Sequence, residues 1–133
     1  VRLAWVASPS FNIPDKVYAP EDLHRWPLLI LTTHSNLHSK VISWLCPAGP
    51  HPGRINVCNN IGTLAAMVEA GIGIAYLPYE YYQDEIQCGK MRIIHTEPPL
   101  PNLEYFAVYD QRRPEPILKT IAEFARRVSR FRH

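Results

Sequence analysis

The amino-acid sequence predicts an α/β protein with a parallel-rich central sheet flanked by helices. Strand-like and helix-like segments alternate along the 133 residues and are joined mostly by short connections. Hydrophobic residues make up 47% of the chain and charged residues 20%, which is typical of a globular rather than a disordered protein. A chain of this length can build one ordinary core or two small lobes.

The first segments of the chain predict two strands separated by a loop. A mostly apolar run at 1–8 ends at Pro9, which favours a strand because proline cannot continue the hydrogen-bonded ladder. Residues 9–20 have the composition of a loop, and "EDLHRW" has room for one helical turn. The run "PLLILTT" at 27–33 predicts a buried strand.

A helix is predicted directly after this strand. Apolar residues in "HSNLHSKVISWL" recur at helical spacing, and Ser35 or Asn36 is available as the N-cap. The stretch at 46–53 is rich in proline and glycine and predicts a loop. The segment "RINVC" at 54–58 predicts the next strand.

A second helix and another strand follow. The helix at about 61–70 carries apolar residues on one face, and Asn59 or Asn60 precedes it as a candidate cap. Gly71 stands just after the helix, where a left-handed residue is favoured. Gly73 lies at the start of the strand "IGIAYL", where a glycine allows another part of the backbone to approach closely.

The last third of the chain predicts a short helix, two strands and a final helix. Pro78 suits the first position of the helix "PYEYYQDEI", and "KMRIIH" has the pattern of a strand. After a proline-rich connection, "LEYFAVYD" predicts a strand over 103–109. The final helix has an apolar face that we expect to point inward, formed by Ile117, Leu118, Ile121, Ala125 and Val128.

The paired glycines of "MVEAGIGIAYLP" do not indicate a nucleotide site. A dinucleotide-binding loop places its glycines after a strand and before a helix, whose amides then contact the pyrophosphate. Here Gly71 and Gly73 follow a helix and precede a strand, and Tyr76 occupies the place of the third glycine. We therefore interpret the two glycines as the end of a helix and the start of a strand.

Charge and composition exclude several other classes of function. A net charge of +2 is too small to indicate a nucleic-acid or acidic-lipid partner. No apolar run approaches the roughly 20 residues of a membrane-spanning helix, and no leader pattern is present. The three cysteines are odd in number and lack the spacing of a metal knuckle, which indicates reduced thiols in a cytoplasmic protein.

The sequence shows no catalytic or metal-binding arrangement, so we expect neither an enzyme nor a cofactor. The carboxylates show no pairing suited to acid–base chemistry. His34 and His38 are four residues apart, but Ser35 stands where a zinc protease has its glutamate, and no third metal ligand is evident. Cys58 has no histidine or aspartate arrangement beside it and is expected to be a small buried apolar residue.

Several segments together resemble the effector-binding domain of LysR-type transcriptional regulators. The most specific is "NN…LAAMVEAGIGIAYLP", in which two asparagines precede a helix, a glycine-containing strand and a proline. The similarity extends upstream through "LAWVASPSF", "DLHRWPLLIL" and "RINVCNN", and downstream through "GKMRII" and "LEYFAVYD". It therefore covers essentially the whole chain.

The resemblance implies a lobe of the type 2 periplasmic-binding-protein fold beside an incomplete first lobe. It divides the chain into the end of the first lobe (1–11), the second lobe (12–97) and a return strand with the C-terminal helix of the first lobe (98–133). The proline-rich passages at 9–20 and 96–101 suit crossings between lobes.

The same resemblance implies a non-enzymatic, effector-sensing module of a cytoplasmic regulator, with a homo-oligomer as the full-length form and no membrane partner. The family contacts DNA through a helix-turn-helix that this sequence does not contain. The alternative is a solute-binding lobe of a periplasmic-type binding protein, which the unpaired cysteines and the missing leader disfavour.

Polar residues at two strand–helix junctions are the candidate ligand site. In open α/β sheets, ligands bind beyond the carboxyl ends of strands, where helix N-termini favour anions. The simpler alternative is that these side chains only cap helices. The resemblance favours a pocket, because effectors of LysR-type proteins lie in an inter-lobe cleft lined by these loops. We predict that a small effector, expected to be a carboxylate or other anion, contacts Thr33, His34, Ser35, Asn59 and Asn60, with Trp5 and Tyr109 as candidate first-lobe contacts.

Overall fold

One five-stranded sheet organises the computed structural model, which describes residues 1–33, 35–47, 53–106, 108, 110 and 116–129. The strands are β1 (Leu3–Ala7), β2 (Leu28–Leu31), β3 (Ile55–Cys58), β4 (Ile74–Pro78) and β5 (Arg92–Ile94). The α-helices in the described ranges are α1 (Asn36–Leu45), α2 (Ile61–Glu69), α3 (Gln83–Gln87) and α4 (Pro116–Val128). Short 3₁₀ helices occur at Pro9–Phe11, Pro20–Arg25 and Tyr79–Tyr81.

The sheet is mixed, with the strand order β3-β2-β4-β1-β5. Strand β2 runs parallel to β3 and β4, whereas β1 runs antiparallel to β4 and β5. Helix α1 packs against one face of the sheet and α2 against the other. The predicted α/β class, with a central sheet flanked by helices, is confirmed, although parallel pairing is confined to the half of the sheet around β2.

Both faces of β2 are buried, which explains its continuous apolar run. Leu28 and Ile30 of β2 belong to the cluster under α1, while Leu29 between them belongs to the cluster under α2. A strand covered on both faces needs apolar residues at every position rather than at every second one. "PLLILTT" therefore forms the strand that its composition predicts.

Strand β1 lies inside this sheet, between β4 and β5. Trp5 is paired with Tyr76 of β4 on one side and with Ile94 of β5 on the other. Trp5 faces the α1 layer and Val6 the α2 layer, and both are buried. Burial of successive residues on opposite faces is a property of an inner strand. The division of the chain between two lobes at 1–11, 12–97 and 98–133 stays a prediction.

Helices α1 and α2 each begin at a residue whose side chain caps the helix. The Ser35 hydroxyl accepts a hydrogen bond from the Leu37 amide at 3.2 Å and so caps α1. The Asn60 side-chain oxygen accepts from the Thr63 amide at 3.0 Å and caps α2. Of the candidate pairs in the sequence, the structure selects Ser35 over Asn36 and Asn60 over Asn59.

The turn between α2 and β4 has the predicted form. Gly71 has a φ of 71°, a left-handed value that costs glycine little, and it follows the helix as expected. Pro78 differs from the prediction, because it ends β4 instead of opening a helix. A 3₁₀ helix at Tyr79–Tyr81 comes next, and only then does α3 begin.

The segment after residue 100 departs furthest from expectation. Leu103 exchanges two backbone hydrogen bonds with Val1, at 2.8 and 3.0 Å, but the described residues from 103 to 110 form no strand. The side chains of Tyr105, Phe106 and Val108 are exposed. The predicted strand at 103–109 is wrong over the residues of this range that the structure describes.

Helix α4 forms as predicted, but its apolar face does not point inward. The side chains of Ile117, Ile121 and Val128 are 56–60% exposed, and α4 has no buried residue. Its periodicity correctly predicts a helix, yet no described element covers that face.

Among the helices in the described ranges, none is both long and apolar enough to cross a membrane.

Candidate functional site

Two polar turns lie side by side at the carboxyl edge of the parallel strands. Leu31, the last residue of β2, pairs with Cys58, the last residue of β3. The Thr32 amide then donates to the Cys58 carbonyl at 3.0 Å, so the two segments of the chain remain hydrogen-bonded just beyond the ends of their strands. The polar turn of residues 32–35 and that of residues 59–60 therefore begin at adjacent points.

The first turn leads directly into α1. The Ser35 amide donates to the Thr32 carbonyl at 2.9 Å, which closes the turn. The Ser35 carbonyl accepts from the His38 amide at 2.9 Å, as the first bond of the helix. Thr33 is exposed at the apex of this turn, whereas Ser35 is half-buried and its hydroxyl is engaged in capping.

The second turn has the same construction at the start of α2. Asn60 accepts from the Thr63 amide through its side chain and from the Leu64 amide, at 3.1 Å, through its carbonyl. The Cys58 thiol lies 3.5 Å from that same carbonyl and donates to it weakly. Asn59 and Asn60 are exposed. Cys58 is half-buried rather than fully buried as predicted, and its thiol is occupied by this local contact.

The electrostatics of this edge favour a negative group. Helices α1 and α2 both start here, and neither has an acidic residue in its first turn. Each helix N-terminus carries a positive partial charge from amides without an intrahelical acceptor. Because the strands before these helices are neighbours, both positive ends lie at the same edge of the sheet.

Four of the five residues predicted for the second-lobe wall come together at this edge, namely Thr33, Ser35, Asn59 and Asn60. His34 and Tyr109 lie outside the described residues. Trp5 lies elsewhere: it is 2% exposed in the middle of β1, packed between Trp44 and Tyr76 at ring-centroid distances of 6.0 and 5.7 Å. Within the described ranges, no group of three histidine, cysteine or acidic side chains is placed to hold a metal ion.

A small cavity that was not predicted from the sequence lies behind the first turn. It lies between α1 and the sheet, and its polar lining residues are His38 of α1 and Tyr76 of β4. Burial raises the pKa of the Tyr76 phenol above its ordinary value of 10.0, so the hydroxyl keeps its proton. The only signal for it in the sequence is a tyrosine inside the apolar run "IAYL".

Comparison with known structures supports the fold. The regulatory domain of HypT from Salmonella typhimurium, in its apo form, aligns with a TM-score of 0.64 at 15% identity, covering 96% of this chain and 62% of that one. The reduced form of OxyR from N. meningitidis aligns with a TM-score of 0.58 at 22% identity, covering 74% and 49%. The regulatory domain of MetR, a LysR family regulator from N. meningitidis, gives 0.59 at 18% identity, covering 74% and 48%.

These structures are longer than the present chain, which spans about half of the length of most of them. No curated protein matches the sequence. The sequence profile of the LysR substrate binding domain matches residues 1–130, nearly the whole chain. The chain therefore belongs to the LysR substrate-binding domain family, the non-enzymatic effector-binding module of LysR-type transcriptional regulators.

Proposed function

We propose that this domain senses a small anionic metabolite at the edge formed by its two polar turns, here called the anion edge (residues 32–35 and 59–60). The observation that carries the proposal is the side-by-side start of α1 and α2 without an acidic residue in either first turn. A carboxylate is the simplest group that accepts hydrogen bonds from both helix ends.

Thr33 and Asn59 are the side chains best suited to contact the ligand. Both are exposed, and neither is the cap of its helix. Ser35 and Asn60 have their side-chain oxygens engaged with helix amides, so they hold the two helix ends in place and contribute less as direct contacts. His34 belongs to the same proposed wall by its position in the sequence.

In the full-length regulator we place this edge in the cleft between two lobes, with Tyr109 as a further candidate contact. Trp5 is buried in the middle of β1 and is not part of the proposed site. Binding there would bias the arrangement of the lobes, and a homo-oligomer in the cytoplasm would transmit the change to a DNA-binding part outside this chain. Ligand binding changes such an equilibrium only as far as it favours one arrangement over the other.

A thermal-shift screen tests the proposal directly. The 133-residue chain is heated with acetate, succinate, citrate or benzoate at constant ionic strength, with sodium chloride as the reference. A ligand at about 100 times its Kd stabilises the folded state by about 2.7 kcal/mol. The same screen is run on the full-length regulator. A carboxylate that raises the melting temperature of either protein above the chloride reference supports the anion edge, whereas no response to any of these anions in either protein refutes it.

Variants then locate the binding site. Loss of one hydrogen bond to a charged ligand is typically worth about 1.5–3 kcal/mol, which weakens affinity roughly 10- to 150-fold. We expect that loss for Asn59→Ala, because Asn59 is not a cap. Asn56→Ala is the matched control, since Asn56 is an exposed asparagine on β3 away from the turn. Equal affinities for these two variants would place the ligand elsewhere.

Conservative substitutions separate capping from binding at the other two positions. Ser35→Thr and Asn60→Ser keep an oxygen able to cap the helix while changing the shape of the edge. If these variants retain both stability and affinity within twofold while their alanine counterparts lose only stability, Ser35 and Asn60 are caps and nothing more.

A further inference from the structure

The Tyr76 hydroxyl is a buried polar group without a protein partner in the described part of the chain. Tyr76 is 5% exposed, and its hydroxyl oxygen has essentially no contact with solvent. Buried hydroxyls in native proteins are almost always hydrogen-bonded, either to protein or to an ordered water. The phenol is neutral, as described above, so it needs an acceptor for its proton.

The cavity that Tyr76 lines has room for one small molecule. The space open to the centre of a water molecule is about 10 Å³. This is close to the lower limit for holding a single water. Most of the wall is apolar and comes from β2 and α1, so the polar partners available to a molecule there are few. A water in such a site needs at least two of them.

His38 supplies the second polar group. Its Nδ1 lies 2.7 Å from the Leu31 carbonyl oxygen, which is an acceptor only, so Nδ1 must carry a proton and donate. In the neutral imidazole the other nitrogen, Nε2, then holds a lone pair and accepts. His38 lines the same cavity as Tyr76. The two polar residues of the wall are therefore a tyrosine whose hydroxyl can donate and a histidine whose Nε2 can accept.

We propose that this cavity is a binding site for one ordered water, which accepts a hydrogen bond from the Tyr76 hydroxyl and donates one to His38 Nε2. The water satisfies the buried phenol and links β4 to α1. Because His38 also holds the Leu31 carbonyl, the same chain of bonds reaches the residue just before the first polar turn. The proposed water and His38 therefore connect Leu31, at the start of that turn, to Tyr76 in β4 by hydrogen bonds.

The sign of one stability change distinguishes a hydrated cavity from a dry one. In a hydrated cavity, Tyr76→Phe removes a satisfied hydrogen bond and lowers the melting temperature by about 2–6 °C. In a dry cavity, the same change removes an unsatisfied buried hydroxyl and raises it. Tyr18→Phe is the matched control, because Tyr18 is also buried and donates directly to the Pro14 carbonyl at 2.9 Å.

We expect the melting temperatures of Tyr76→Phe and Tyr18→Phe to fall by similar amounts. A rise for Tyr76→Phe beside a fall for Tyr18→Phe would overturn the proposal.

Two measurements observe the site without relying on stability. Magnetic relaxation dispersion of the solvent nuclei counts long-lived internal waters, and we expect one fewer in Tyr76→Phe and an unchanged number in Tyr18→Phe. Long-range proton–nitrogen NMR on the unaltered chain should find neutral His38 protonated at Nδ1. An equal count of internal waters in the chain and in Tyr76→Phe, or a neutral His38 protonated at Nε2, would contradict the proposed water.

Discussion

Replacing Gly73 with alanine tests the close approach of β4 to the residue before β2. The Ile74 amide donates to the Pro27 carbonyl at 2.9 Å, and Gly73 lies directly against that carbonyl. A Cβ built on Gly73 would stand 2.6 Å from the Pro27 oxygen and 2.8 Å from Leu29 Cγ. Real Cβ atoms essentially never come closer than 3.0 Å to such atoms, so the backbone must open by at least about 0.4 Å.

The expected cost follows from where this opening occurs. The Pro27 oxygen is a backbone atom and cannot move away by a side-chain rotation. The Leu29 side chain is fully buried in the cluster between the sheet and α2. Overpacking of this kind typically costs about 1–3 kcal/mol. For a chain of this length that corresponds to a fall in melting temperature of roughly 4–12 °C. Differential scanning calorimetry or thermal circular dichroism measures it.

Gly53→Ala is the control for the loss of glycine itself. Among the residues that the structure describes, none has an atom within 4 Å of a Cβ placed on Gly53 beyond its chain neighbours, and the φ of Gly53 is not positive. This change should leave stability within about 0.5 kcal/mol or raise it slightly, since alanine restricts the unfolded chain. If Gly73→Ala melts at the same temperature as Gly53→Ala, the steric reasoning about the junction of β2 and β4 is refuted.

Three further predictions concern a cap, an ion pair and an exposed helix. Asn60→Ala should lose about 1 kcal/mol in urea unfolding because the Thr63 amide loses its acceptor, whereas Asn60→Asp should keep most of the stability. Burial alone would raise the pKa of Glu80, but the hydrogen bond from Arg2, a backbone hydrogen bond and the nearby positive charges together outweigh burial and lower the pKa from 4.5. The stabilisation by this carboxylate is therefore present at neutral pH and is lost as the pH falls below about 4.5. The difference in melting temperature between the unaltered chain and Glu80→Gln should shrink over that pH range. A difference that stays constant would contradict the role of Glu80. The exposed apolar residues of α4 favour self-association of the 133-residue chain. Ile121→Gln removes one of these side chains and should lower the apparent mass of the chain in light scattering, whereas Lys119→Gln should leave it unchanged.

Local sequence determined the elements whose signals lie within a few residues of one another. Serine and asparagine before apolar periodic runs fixed the starts of α1 and α2, and Gly71 fixed the end of α2, because caps and left-handed turns depend on short-range backbone geometry. The same short polar runs placed Thr33 and Asn59 at strand ends. Their meeting at one edge could be predicted as well, since parallel strands bring their carboxyl ends together.

Tertiary pairing decided the rest, because it joins residues far apart in the chain. The apolar run of β1 is equally compatible with an edge and with an inner position, and only its pairing with β4 and β5 shows that it is an inner, antiparallel strand. Helix α4 has an apolar face of the right period, but periodicity does not supply the surface that would cover it. The cavity of Tyr76 and His38 depends on a gap between two packed layers, and the size of such a gap is set by the sum of side chains from three elements rather than by any local pattern.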